Sequence, residues 1–404
     1  MVPRPRVRFA PLLFLGRGAA TPLRILHIVG TISPAAGGPS EVIRMLIRYA
    51  PPGDTAELAT LDDPAAAFLT GLPFTVHAFG SSQPRWWRPG LLRWLRRNRS
   101  RFDGVIVHGL WEYTGWAARR AFAGRLPYMV FPHGMLDPWF KRTYPAKHLK
   151  KWLYWLLSEY WTLRAATRVL FTTETERELA QHTFWPARWT PLVTPLGCEP
   201  PPEDTARLIA AFHARCPELR GKRFLLFLGR IDPKKGCDLL VQAFVTVAPI
   251  EPDLHLLMAG PDSTGWSSKL QAETTGVSER IHWPGMLIGD AKWGALAACE
   301  AFILPSHQEN FGIAVVEALA SGKPVLISDQ VNIAPEIAAA NCGLVAPDTL
   351  DGTKLLLARW LTMHPSERDA MGSNARNEFL AHFDMRRNAA KILGVFATAT
   401  TEAH

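Results

Sequence analysis

The chain reads as α/β: two doubly wound, Rossmann-like domains whose parallel sheets face each other across a cleft. Three observations lead there. Short, nearly continuous apolar runs alternate with helical patterns, which is how strands buried on both faces and their crossover helices read. The alternation breaks once, in the Pro-rich stretch TPLVTPLGCEPPPEDTA (190–206), and then restarts. Finally, 404 residues exceed what one core ordinarily organises, and 48% hydrophobic residues supply apolar material for two.

Taken in order, residues 1–22 come first. Their arginines precede FAPLLFL, as in a signal peptide, but the apolar part is short and Arg17 interrupts the would-be cleavage region. A loose basic tail is the expectation. RILHIV (24–29) opens the first domain, 23–200, and runs through GTISPAAGGPS into the helical pattern EVIRMLIRY. FTVHAF (74–79), GVIVHG (104–109), YMVFPHG (128–134) and RVLFTT (168–173) follow as strands. The second domain, 201–382, contributes FLLFLGR (224–230), HLLMAG (255–260), RIHWPG (280–285), AFILPS (301–306), PVLIS (324–328) and CGLVAP (342–347). Helices near 366–381 and 385–399 come after the last strand, and 383–404 is a C-terminal helix able to cross back to the first domain. In open parallel sheets ligands bind beyond the carboxyl ends of the strands, so two such sheets place the site in the cleft between them.

Composition narrows the chemistry. Cys198, Cys216, Cys237, Cys299 and Cys342 are scattered with no Cys-x-x-Cys, so neither a zinc knuckle nor a redox pair is indicated, and the odd count suits a reducing compartment. No apolar run reaches the roughly 18–20 residues of a membrane-spanning helix. Charge is uneven: residues 1–200 hold 26 Lys and Arg against 13 Asp and Glu, the remainder 19 against 23. Eleven of the 15 tryptophans lie in the same basic half. Such asymmetry points to two jobs and two partners.

Three motifs carry chemistry. GTISPAAGGPSE (30–41) follows the first strand and opens the first helix; Gly37 and Gly38 let a ligand approach the backbone, beside a helix N-terminus with free amides. An ordinary glycine turn would look the same. In FLGRIDPKKGCDLLVQAF (227–244), Arg230 and Lys235 flank a helix start at Gly236, a pairing suited to a diphosphate or simply to a solvated loop. PSHQENFGIAVVEALASGKPVL (305–326) is the most specific. Glu309 ends a strand-to-helix loop, and Glu317 follows eight residues later inside the apolar run AVVEALA, where a carboxylate needs partners. Neither GxGxxG nor GxxxxGK[ST] is present, which argues against a dinucleotide or GTP site.

These residues resemble the retaining GT-B glycosyltransferases of family 4. That family's Glu-x7-Glu signature matches Glu309 and Glu317, its G-R-x(4)-K-G segment matches Gly229, Arg230, Lys235 and Gly236, and its glycine loop matches Gly37 and Gly38. The similarity runs from about residue 24 to the last helices. Leu110-Trp111 and PHGMLDPW (132–139) resemble bacterial exopolysaccharide and surface-polysaccharide members. The resemblance implies a retaining hexosyltransferase that moves a sugar from a UDP- or GDP-linked donor to a glycan or lipid-linked acceptor, with no cofactor or metal. It implies that Arg230 and Lys235 hold the diphosphate, Glu317 the ribose, and Glu309 the donor sugar together with the amides of Asn310, Phe311, Gly312 and Ile313. It places His133 against the transferred sugar.

Two rivals stay open: a nucleotide-sugar epimerase of the same fold, and a non-catalytic partner in polysaccharide assembly. No Asp-x-Asp occurs, so the metal–diphosphate site of the other main glycosyltransferase fold is not expected. No nucleic-acid partner is expected. The expected location is cytoplasmic, peripheral at the inner face of the cell membrane. RWWRPGLLRWLRRNRSRF (85–102), with Trp86, Trp87 and Trp94, and KRTYPAKHLKKWLYWLLSEYW (141–161) mix cations with aromatics, as an anionic membrane surface attracts. The alternative is that these tryptophans are core.

Overall fold

A computed structural model describes residues 22–34, 37–80, 87–274 and 276–401; the basic N-terminal segment and Trp86 lie outside them. The N-terminal domain holds strands β1 (Arg24–Val29), β2 (Thr55–Thr60), β3 (Thr75–Ala78), β4 (Gly104–His108), β5 (Tyr128–Phe131), β6 (Arg168–Phe171) and β7 (Pro191–Val193). Its helices are α1 (Gly38–Arg48), α2 (Pro89–Asn98), α3 (Tyr113–Phe122), α4 (Trp139–Thr143), α5 (Pro145–Tyr154), α6 (Tyr160–Ala165) and α7 (Glu174–Ala180). A single π-helical turn, Trp155–Glu159, joins α5 to α6.

The C-terminal domain holds β8 (Arg223–Leu228), β9 (Leu254–Ala259), β10 (Ile281–Gly285), β11 (Ala301–Leu304), β12 (Val325–Ser328) and β13 (Gly343–Ala346). Its helices are α8 (Thr205–Arg215), α9 (Cys237–Val247), α10 (Trp266–Ala272), α11 (Gly289–Ala298), α12 (Ile313–Ala320), α13 (Ala334–Ala339), α14 (Leu350–Thr362) and α15 (Pro365–Glu378), and α16 (Met385–Thr401) ends the chain.

Both sheets are wholly parallel, ordered β3-β2-β1-β4-β5-β6-β7 and β10-β9-β8-β11-β12-β13. Each reverses direction beside its first strand, and that switch point is where a crevice opens at the carboxyl ends. The central strands have no polar face: β4, β5, β9, β11 and β12 are buried at every position. This explains their continuous apolar runs.

The expected two-sheet α/β architecture is what forms, with differences in detail. β2 (TAELAT) and β7 (PLV) were not anticipated. The first carries Glu57 and four Thr/Ala positions in place of an apolar run, and the second is three residues at the sheet edge. Helix α14 was also not anticipated; it is capped by the Thr349 side chain, which accepts from the Gly352 amide.

The two domains share a seam. Cys198 pairs with Asp384 as an isolated bridge, and the Asn388 side-chain amide donates to the Leu196 carbonyl at 3.0 Å. Beyond it, Ile392, Leu393 and Phe396 of α16 are buried in the same cluster as Val42 and Met45 of α1. Each such side chain buried contributes roughly 1.5–3 kcal/mol, so α16 clamps the N-terminal domain to the C-terminal one.

Candidate functional site

The site forms where the carboxyl ends of the two sheets meet. On the C-terminal side, β8 leads through Gly229 and Arg230 into a 3-10 turn, Pro233–Lys235, capped by the Asp232 carboxylate on the Lys234 amide at 2.9 Å. The turn ends at Gly236 with φ 65°, and a Cβ there would stand 2.0 Å from the Pro305 carbonyl oxygen. Only glycine permits both the left-handed backbone and that approach. It presses the Lys235 turn against the loop after β11, which carries Glu309.

Lys235 and Glu309 therefore meet: the ammonium donates directly to Glu309 Oε2, with only 15% and 19% of the two side chains exposed. Burial, helped by the neighbouring Lys234 and Arg230, pushes the Lys235 ammonium down to about 7. Arg230 itself is exposed on the cleft rim. The Glu309 loop is held by backbone bonds, Glu309 N–H to Gln330 O at 3.1 Å and Asn332 N–H to Glu309 O at 3.0 Å. Gly312 then starts α12, and the amides of Asn310, Phe311, Gly312 and Ile313 find no backbone acceptor among the described residues. A helix start with free amides beside cations is an anion site.

Glu317, one turn into α12, accepts a 2.6 Å ion pair from Lys292 of α11 and is 13% exposed. That partner explains how a carboxylate survives in AVVEALA. A cavity of about 110 Å³ opens beside it, lined also by Glu41 and Met45 of α1 and by Cys198 and Glu199. A larger cavity, about 590 Å³, lies around Glu300, Lys323 and Pro324 at the amino ends of β11 and β12. It is on the far side of the sheet from Arg230, Lys235 and Glu309, and parallel sheets bind ligands at the opposite edge.

On the N-terminal side, Gly37 has φ 77° and precedes α1; no atom lies within 4 Å of where a Cβ would stand on Gly37 or Gly38, so both face open space. His133, after β5, adopts φ 51°, a strained backbone for a non-glycine residue. Gly134 follows at φ 77°, its Cβ position 2.7 Å from the Asn310 side chain of the other domain. Two polar links cross the same seam: Gln308 Nε2 donates to Asp137 Oδ2 at 2.9 Å, and Asn310 Nδ2 reaches Thr172 Oγ1 at 3.4 Å. Buried Glu176 anchors this corner by accepting from the amides of Gly134 and Thr172 at 2.7 Å each. His133 and Gly134 thus sit across a narrow gap from the Glu309–Asn310 loop.

Two histidines that the sequence reasoning passed over stand behind His133. His27 Nδ1 lies 3.0 Å from His108 Nε2, and His108 Nδ1 lies 3.0 Å from His133 Nε2. Burial pushes His27 and His133 down to about 3 and His108 well below its ordinary value, so all three rings are neutral at pH 7. A neutral chain must be polarised one way. With Nδ1 protonated throughout, the ring left unpartnered is His27 Nε2 as an acceptor, a smaller penalty than a buried orphan N–H. His133 then presents Nδ1–H outward as a hydrogen-bond donor. The sequence carries only a weak hint: His108 ends β4 and His133 lies two residues past β5, while His27 sits inside β1.

The aromatic stretches resolve mostly into core. Trp155 is fully buried and stacks on Phe184 with ring centroids 4.9 Å apart. Trp94 packs on His77 and Phe102, while Trp87 is 48% exposed against Tyr113 and Trp116.

Comparison with known proteins agrees with this geometry. Residues 37–196 match the family described as Glycosyl transferase 4-like domain, and residues 211–378 match Glycosyl transferases group 1. The chain is 24% identical over 321 residues to a GDP-mannose:cellobiosyl-diphosphopolyprenol alpha-mannosyltransferase of Xanthomonas campestris, covering 76% of this chain and 79% of that protein. It is 24% identical over 60% of its length to the mannosylfructose-phosphate synthase of Agrobacterium fabrum, of which it spans 57%. It spans 31% of the phosphatidyl-myo-inositol mannosyltransferase of Mycobacterium leprae. Among solved structures, Anabaena Alr3699/HepE in complex with UDP and glucose superposes with a TM-score of 0.73 at 17% identity, covering 93% of this chain and all of that one. The fold is GT-B.

Proposed function

We propose that this chain, made of two glycosyl transferase domains on a GT-B frame, moves a sugar from a nucleoside diphosphate sugar to a glycan or lipid-linked acceptor with retention of configuration, in the assembly of a surface polysaccharide. The observation that carries the reading is the Lys235–Glu309 pair. It lies beside Arg230 and the free amides of α12, across a narrow gap from His133. Support for the donor class comes from the solved neighbours bound to UDP or UDP-glucose. The role in polysaccharide assembly draws on the diphosphopolyprenol-linked substrate in the name of the Xanthomonas relative.

Transfer breaks the bond from the sugar's anomeric carbon to the diphosphate oxygen and forms one to the acceptor oxygen. The transition state is oxocarbenium-like, with negative charge growing on the leaving phosphate. Lys235, Arg230 and the α12 amides meet that charge where it develops. When the diphosphate takes the Lys235 ammonium, Glu309 is released to accept from donor-sugar hydroxyls, and Glu317 keeps an oxygen for the ribose. The neutral His133 donates a hydrogen bond to the sugar. The acceptor's proton leaves with the phosphate oxygen on the same face, which retains configuration without a protein nucleophile.

The test is a screen of UDP- and GDP-sugars for nucleotide release with a glycan acceptor, followed by mass and anomeric NMR analysis of the product. A product with the donor's anomeric configuration supports the reading. Epimerised donor without transfer, or no turnover of any donor, sinks it. Because cations of the chain serve the leaving group and no Asp-x-Asp exists, turnover is expected to persist in excess EDTA. Complete loss, restored by magnesium or manganese, would contradict the assigned roles of Arg230 and Lys235.

A further inference from the structure

We infer that the face formed by α5, the π turn and α6 docks on an anionic lipid bilayer. Leu149, Leu153, Leu156 and Leu157 are 72%, 66%, 49% and 67% exposed, and Trp161 is 46% exposed. Their spacing of four, three, one and four residues puts them on one side of a continuous helical segment. Large apolar side chains gathered on one face, at such exposure, mark an interaction surface rather than ordinary scatter.

Charge identifies the occupant. Lys141, Arg142, Lys147, Lys150 and Arg164 are exposed around the leucines. From 139 to 165 the only acidic residue is Glu159, which is fully buried. A leucine stripe fringed by cations alone fits the boundary between acyl chains and anionic head groups. A protein partner's interface would bring complementary carboxylates or a polar rim of both signs. The aromatics that suggested a membrane in the sequence are mainly core; the exposed leucines, hidden there inside a Trp-rich run, carry the surface. No helix among the described residues is long and apolar enough to cross a membrane, so the contact is peripheral.

The face adjoins the cleft. Trp139 and Phe140 of α4 take the Lys234 ammonium over their rings at 5.3 and 5.2 Å, and Lys151 of α5 reaches over Phe140 at 5.6 Å. A bilayer against α5 would lie one short helix from the Lys234–Lys235 turn. The inference stands on the surface alone and goes beyond the transferase reading, since docking needs neither donor nor acceptor.

The full chain should co-sediment with vesicles of phosphatidylcholine containing phosphatidylglycerol, bind pure phosphatidylcholine at least tenfold more weakly, and lose anionic binding in 0.5 M salt. Leu149→Ser/Leu153→Ser/Leu157→Ser should cut partitioning at least tenfold. Its melting temperature and its donor turnover with a soluble acceptor should not change, because these side chains pack on nothing in the cleft. Lys147→Glu/Lys150→Glu should abolish the preference for anionic lipid. Absence of wild-type binding to anionic vesicles, or equal binding by the leucine variant, overturns the proposal. So does a wild-type dimer in light scattering that becomes monomeric in the leucine variant, because the occupant would then be a second copy. Vesicle binding that survives alongside inactive donors would leave docking intact and remove only the transferase reading.

Discussion

Lys235→Ala is expected to lower donor turnover by about 10²- to 10³-fold, the usual consequence of removing a preorganised charge from a developing anion in a closed site. Two losses combine. The leaving diphosphate loses its buried cation, and Glu309 is left 19% exposed with no counter-ion. Arg230→Ala should cost less, because its guanidinium is on the rim, where water screens it. Steady-state kinetics with saturating acceptor separates the two. The same lysine sets a pH dependence. Its free pKa is held to about 7, and the diphosphate binds the protonated form. Donor kcat/KM should therefore be full below pH 7 and fall toward tenfold per pH unit above it. Lys235→Arg keeps a cation that does not titrate, so its profile should be flat over that range. A Lys235→Ala enzyme with near-normal turnover, or a wild type whose kcat/KM does not fall above pH 7, would remove Lys235 from the donor site.

The degree to which this site could be read from the chain differs by residue. Buried parallel strands announce themselves, because both faces need apolar residues; β8, β9, β11 and β12 were legible for that reason. β2 was not, since Thr55 and Glu57 lie toward its more open end. Arg230, Lys235, Glu309 and Glu317 stood out as polar residues at fixed offsets from a strand end or inside an apolar helix. Their counterparts did not. Lys292 looks like any surface lysine until α11 brings it to Glu317. Asp137, Gln308, Thr172 and Glu176 acquire meaning only where the two sheets meet. Partnership across domains is a long-range fact with no local signature. In the cation-rich stretch 141–161 the exposed apolar side chains are mainly leucines, where the sequence drew the eye to tryptophans. Composition counts tryptophans, while helical phase and the π turn decide which residues face water.

Glu159→Gln is expected to stabilise the N-terminal domain by up to about 4 kcal/mol at pH 8.5 and by almost nothing below pH 4.5. Glu159 ends the π turn, where Leu156 and Leu157 are exposed while Glu159 goes into the core beside α3. Burial raises its carboxyl to about 8, with nearby Glu112 adding to the rise and the Trp111 amide and Arg119 opposing it. The ordinary value for the unfolded chain is near 4.5. Between those two values the unfolded state is ionised and the folded state is protonated. Folding then takes up a proton, and stability falls as pH rises. Above 8 the penalty is complete, at roughly 1.4 kcal/mol per unit of separation. Glutamine keeps the shape of the protonated acid and never ionises, so its advantage should grow from pH 5 to pH 8 and then level off. Denaturant melts of both proteins at pH 5, 7 and 8.5 measure this directly. Donor turnover should stay within a few-fold of wild type, because the side chain reaches no residue assigned to the diphosphate or the sugar. A difference in stability that does not change with pH would mean that Glu159 is ionised in the folded chain and paired, and the buried neutral acid would have to be given up.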